Sequence, residues 1–186
     1  MTATYRIFGS ELSPYSVKVR SYCRYKGIPH EWVLRTEANR EEFARHAKLP
    51  LIPLVVTPDG GALQDSTPII ETLEAAFPEP SIHPDDPAAA MASALLEEYG
   101  DEWVNKPMFH YRWFYEPDQI STATRIAQSV FGTDGEALEQ AAVAIRTRMV
   151  DRLRFVGSTP QNRPVIEGSL ARLLALLESH LADRPY

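Results

Sequence analysis

Three short stretches carry side chains able to do chemistry. The first is "SPYS", Ser13 to Ser16, which follows a β-branched and aromatic run and opens a helical pattern. Backbone N–H groups at a helix start are unpaired and lie at the positive end of the helix dipole, so they favour an anion. A serine there either caps the helix or turns its hydroxyl to a bound group, and both roles stand for Ser13 and Ser16. Cysteines at both positions would make a redox pair; two serines cannot exchange disulfides. The second stretch is "LPLIPLVV", where Pro53 directly precedes an apolar strand and holds Ile52 extended. A proline at a strand entrance, followed by a hairpin, is consistent with a cis bond. The third is "LQDSTPII", with Asp65 and Ser66 between a strand and a helix. Ser66 with Pro68 behind it is ordinary helix-start chemistry. The same pair can seat a zwitterion, its carboxylate on the Ser66 hydroxyl and helix amides and its ammonium on Asp65.

The elements that must position these residues alternate at first. "TYRIF" (4–8) reads as a strand, and residues 14–26 as a helix with Tyr15, Val19, Tyr22 and Cys23 on one face. Pro14 just inside its start and Gly27 just past its end fit the usual asymmetry. "HEWVL" (30–34) is a second strand, and "ANREEFARHA" (38–47) a short charged helix. "LVVT", the turn "PDGG" and "ALQD" form a hairpin. A helix from Ser66 follows, with Ile69, Ile70, Leu73 and Phe77 facing inward. The order is β-α-β-α-β-β-α. Residues 79–87 are then proline-rich and stay extended, which marks a domain boundary. Beyond it helices are expected over 88–115, 135–156 and 168–182, with Pro107 kinking or restarting the first and "RFVGSTPQNRPV" as a loop.

Composition narrows the functional classes. The 186 residues carry a net charge of −6, with no basic run, which argues against a nucleic-acid or anionic-membrane surface. The first residues lack a secretory signal, and no apolar run approaches the roughly 18 residues of a membrane span. The lone cysteine, Cys23, permits neither an internal disulfide nor a Cys-based zinc site, and a cytoplasmic setting is expected. The five histidines are scattered without metal-ligand spacing, so no metal is expected. Cys23, on an apolar helix face, reads as an inert buried thiol.

Taken in order, the strand, S-P-Y-S, the Ile-Pro before a hairpin and L-Q-D-S-T-P-I-I before a helix resemble the thioredoxin-like domain of the cytosolic glutathione transferases. The proline-rich linker and helical remainder are similar to that family's second domain. The resemblance implies an α/β thioredoxin-like domain over 1–78, a linker over 79–87, and an all-helical domain over 88–186 that stops where relatives continue. It implies glutathione as co-substrate, with Ile52 meeting the cysteinyl part through its backbone and Pro53 as the family's cis-proline. Asp65 and Ser66 then hold the γ-glutamyl end. Relatives place a lysine just before the Ile-Pro; Leu51 stands there, leaving Lys48 and Arg45 as the nearest cations. Lys48 is assigned to glutathione on that basis. Ser13 occupies the position that faces the ligand sulfur in serine-type and cysteine-type relatives, with Ser16 as the secondary candidate.

A hydroxyl can do this work without a base. A thiol of pKa about 8.5 is only about 3% thiolate at neutral pH, and lowering that by about two units takes about 2.7 kcal/mol. One hydrogen bond to the charged form gives about 1.5–3 kcal/mol. The helix start adds up to about 1 kcal/mol. A small hydrophobic electrophile needs an apolar wall, and "EEYGDEWVNKPMFHYRWFYEP" is dense in aromatics. Tyr15, Met108, Tyr111, Arg112 and Tyr115 are the candidates for that wall. His110 is expected to be a packed histidine rather than an acid or base. The expected activity is glutathione transfer in detoxification by a cytoplasmic homodimer. The alternative is the same fold kept as a weakly active or non-catalytic binding and assembly module.

Overall fold

The computed structural model describes residues 4–132 and 135–183. The chain divides into two compact units, the first running to Ala90 and the second, all-helical, starting at Met91; the described segment from Gln128 to Gly132 belongs with the first.

The first unit is built on four strands: β1 (Tyr5–Gly9), β2 (His30–Leu34), β3 (Leu54–Val56) and β4 (Ala62–Gln64). Their order in the sheet is β2-β1-β3-β4, with β1 and β2 parallel and the other neighbours antiparallel. Parallel neighbours need a crossover, and α1 (Pro14–Tyr25) supplies it. Ser13 caps α1, Pro14 occupies its first turn, and Gly27 leaves it at φ +65°, a left-handed position that suits a residue without Cβ. Alternation along the strands sends Ile7 and Val55 to one face and Phe8, Leu54 and Val56 to the other. The first face packs against Val19, Tyr22 and Cys23 of α1 and Ile69 and Leu73 of α3 (Ser66–Ala76). The second is covered by Phe43 of α2 (Arg40–His46). The inward face of α1 differs from expectation at one position: Ser16, not Tyr15, lies with Val19, Tyr22 and Cys23, because Gly9 of β1 leaves room only for a small side chain there. Cys23 is fully buried, and burial pushes its thiol up to about 11.

A buried ion pair ties the proline-rich segment to this unit. Lys26 Nζ lies 2.9 Å from the Glu74 carboxylate and donates to the Pro80 carbonyl at 2.6 Å. Tyr22 donates to the same carboxylate at 2.6 Å, and the Ile82 N–H at 3.1 Å. Burial would raise the Glu74 pKa, but these donors outweigh it and hold the carboxyl below its usual range.

The second unit holds α4 (Pro87–Glu102), α5 (Asn105–Trp113), α6 (Glu116–Phe131), α7 (Glu136–Asp151) and α8 (Arg163–Leu181) as its elements, α4 and α6 extending past its bounds. The long helix breaks at Trp103–Val104 and restarts as expected near Pro107, which sits in the first turn of α5, where its missing N–H has no partner to lose. Two expectations need revision. Helix α6 was not anticipated, although Pro117 and two acidic residues mark its first turn. Helix α8 starts at Arg163 rather than 168, with Pro164 again in the first turn. His110 is fully buried, with Nδ1 2.7 Å from Ser158 Oγ, its ring stacked on Phe114 at 4.5 Å. Among the described residues no helix is long and apolar enough to cross a membrane.

Candidate functional site

Strand register gathers the three chemical stretches at one end of the sheet. Phe8 pairs with Leu54, and Leu54 with Gln64. The loop leaving β1 toward Ser13, the Ile52–Pro53 entrance to β3 and the Asp65–Ser66 exit from β4 therefore share one edge. Lys18 of α1 reaches Thr67 at 3.4 Å and links the starts of α1 and α3.

At the first start, Ser13 is extended at φ −97°, and its Oγ accepts the Ser16 N–H at 3.2 Å. A hydroxyl that spends a lone pair on the cap keeps its proton for another acceptor. Ser13 is half-buried, so that proton is within reach of solvent. Ser16 differs. Its side chain is fully buried against Gly9 and its Oγ finds no hydrogen-bond partner. A ligand arriving from solvent meets Ser13 first.

At the second position the Ile52–Pro53 bond is cis and Pro53 is buried. Ile52 is half-buried, and Lys48 is exposed on the irregular segment before it. That segment is held by a residue the sequence reading passed over. The Gln64 side-chain amide accepts from the N–H groups of Lys48 at 2.7 Å and Leu49 at 3.1 Å. It donates to the carbonyls of Leu49 and Leu51, both at 2.9 Å.

At the third, Asp65 stands at φ +75° and ψ 133°, alone among the non-glycine described residues in having a positive φ. Such a backbone costs about 1–3 kcal/mol and persists only where its surroundings impose it. The Asp65 side chain is exposed and makes no capping bond to α3. A carboxylate held outward at a strained position is available to a cation. Ser66 is buried in the first turn of α3, where helix amides are unpaired.

The candidates for an apolar wall fall in both units. Tyr15 is half-buried in the first turn of α1. Met108, Tyr111, Arg112 and Tyr115 lie on α5 or just beyond it in the second unit. Tyr111 and Tyr115 stack at 6.4 Å. Tyr115 donates to Glu167, and that bond, before burial, raises its pKa. Burial, and then the nearby charge of Arg125, lowers the pKa of the half-buried Arg112 guanidinium.

Comparison with known proteins bears on this arrangement. The model of the glutathione S-transferase N-terminal domain matches residues 7–81, the span that carries all three stretches. The chain is 27% identical over 180 residues to the isoprene-epoxide–glutathione S-transferase of Rhodococcus sp. strain AD45, covering 95% of this chain and 72% of that protein. Residues 7–81 thus match the N-terminal domain of the glutathione S-transferases, and the chain along most of its length is similar to such enzymes. It is also 29% identical over 83 residues to glutathione S-transferase omega-1 of Mus musculus, a match spanning 44% of this chain and 35% of the mouse protein. A glutathione S-transferase from Methylobacterium radiotolerans, solved with glutathione sulfonate, superposes with a TM-score of 0.53 at 25% identity over 94% of this chain and 90% of that one. The four-stranded sheet with its flanking helices is a thioredoxin-like domain, and the second unit is a helical domain that follows it, as in these relatives.

Proposed function

We propose that this protein is a glutathione transferase that binds glutathione at the edge formed by Ser13, Ile52–Pro53 and Asp65–Ser66, and activates it as a thiolate for attack on a small hydrophobic electrophile. The reading rests above all on the Ser13 hydroxyl, which accepts the Ser16 N–H and so has its own proton to give to the ligand sulfur. The bound thiol loses its proton to water, and the O–H of Ser13 and the start of α1 stabilise the resulting charge. The thiolate then attacks the electrophile, forming a C–S bond as the leaving group departs with its electron pair, or as an epoxide C–O bond opens to an alkoxide that takes a proton from water. The γ-glutamyl carboxylate fits the Ser66 hydroxyl and the first amides of α3, and its ammonium fits Asp65. Lys48 is the cation for the glycine carboxylate. A relative named for isoprene epoxide supports epoxides as the class to try first. Tyr15, in the unit that carries the seat, is the side chain assigned to the electrophile.

The test is retention on immobilised glutathione, followed by turnover of small epoxides and aryl halides. Retention with saturable turnover carries the proposal; a protein that flows through the resin refutes it. A second reading has its own support. Met91, Leu95 and Leu96 of α4, Trp103 just beyond it, and Leu174, Leu176 and Leu181 of α8 are more than half exposed, as in a surface that assembles with a partner or a second copy. Binding of glutathione without turnover of any electrophile, from a stable dimer, would favour that assembly role. Homodimerisation and a cytoplasmic location are part of the proposal on the same family grounds.

A further inference from the structure

We propose that Gln64 is a positioning residue of the glutathione seat, fixing the segment before the cis-proline so that the Ile52 backbone faces the ligand; this rests on the glutathione reading above. Residues 47–53 form no helix or strand, and they carry the seat's Lys48 and Ile52. Ala47, Ile52 and Pro53 pack at the two ends, but between them the apolar side chains give no anchor: Leu49 is 58% exposed and Leu51 61%. Pro50 is exposed and has no N–H to contribute. What holds the middle of the segment is one amide. Gln64 uses both lone pairs of its oxygen on the Lys48 and Leu49 N–H groups and both its hydrogens on the Leu49 and Leu51 carbonyls. An amide side chain has two acceptor and two donor positions, and all four are taken.

The last of these bonds sets a direction. In a trans peptide the N–H points opposite to the preceding C=O. With the Leu51 carbonyl turned toward Gln64, the Ile52 N–H is turned away from it. Gln64 is also the last residue of β4, next to the strained Asp65. One side chain thereby ties the two parts of the seat, the segment meeting the cysteinyl and glycyl groups and the turn meeting the γ-glutamyl group. If the tether is cut, the segment must be ordered by glutathione itself, and that ordering is taken from affinity rather than from chemistry after binding.

The experiment compares wild type with Gln64→Leu and Gln64→Glu. The glutamate keeps the size of the side chain and can accept the two N–H bonds, but it sets a carboxylate oxygen against two carbonyls. Both variants should raise KM for glutathione about tenfold, equivalent to 1.4 kcal/mol, with kcat at saturating glutathione within about twofold of wild type. Without ligand, hydrogen exchange at the Lys48 and Leu49 amides should accelerate, while the amides of β1 and α1 keep their protection. Unchanged exchange at those two amides, unchanged KM, or a loss confined to kcat overturns the proposal. Wild type failing to bind glutathione overturns the seat itself along with it; wild type binding normally while both variants bind equally well overturns the role of Gln64 alone.

Discussion

Replacing Ser13 by alanine removes two things that can be measured separately. The first is the helix cap: the Oγ that accepts the Ser16 N–H at 3.2 Å is gone. Loss of a serine cap costs about 1 kcal/mol, which in a chain of this size lowers Tm by about 2–4 °C. The second is the proton offered to glutathione. A hydrogen bond to a charged group is worth about 1.5–3 kcal/mol, and at 1.36 kcal/mol per unit its loss raises the bound thiol pKa by about 1–2 units. Glycine separates the two effects. It caps nearly as well as serine, within a few tenths of a kcal/mol, yet offers no hydroxyl. Ser13→Gly should therefore keep the wild-type Tm while sharing the shifted pKa of Ser13→Ala. The assay is the pH–rate profile at saturating glutathione with a fixed electrophile, alongside thermal unfolding. Both variants should lose about tenfold or more in rate near neutral pH and approach wild type in alkali, where glutathione ionises unaided. Superimposable profiles for all three proteins would refute the reasoning. A collapse in Ser16→Ala alone would move the function to the buried hydroxyl.

Asp65→Gly should raise stability by about 1 kcal/mol, because glycine adopts φ +75° without strain, while weakening glutathione binding; equal affinity would remove Asp65 from the seat. Glu74→Gln should cost about 3 kcal/mol at neutral pH by leaving the buried Lys26 ammonium without its counter-charge. The Glu74 carboxyl is held below its usual range, so its stabilisation is complete above that range and lost as pH falls through the folded-state pKa. Denaturant unfolding from pH 7 to 3 should show the gap between wild type and Glu74→Gln closing on the acid side, and a gap that stays constant would contradict the pairing. Gly9→Ala should destabilise by about 1–3 kcal/mol, since its Cβ would lie 2.4 Å from Trp32 Cη2 and 2.8 Å from Ser16 Cβ. Adding Trp32→Val should recover much of that loss, and no recovery would place the strain elsewhere.

The α/β order of the first unit was legible because its signals are local: a β-branched run, a capped helix start, a turn sequence, a glycine at the end. Pro107 was legible too, since a proline that kinks or restarts a helix is what stands in the first turn of α5. Helix α6 was not, its start being marked by Glu116 and Asp118 around a proline rather than by a serine or threonine cap. At the site, the positions of Ser13, Pro53 and Ser66 follow from strand and helix boundaries, so spacing reached them. Three features did not follow. The burial of Ser16 depends on Gly9 of a neighbouring strand, the backbone of Asp65 on the exit from β4, and the bonds of Gln64 on a segment 13–16 residues away. Each is set by tertiary contact, and no local pattern encodes it.

The most direct measurement is the ultraviolet absorbance of the thiolate of glutathione bound to the wild-type protein, titrated across pH. A bound thiol ionising about two units below the free value of about 8.5 is what Ser13 and the start of α1 should produce. Glutathione that binds yet ionises at its free value would contradict the account, leaving a seat for the peptide with no means of activating its sulfur.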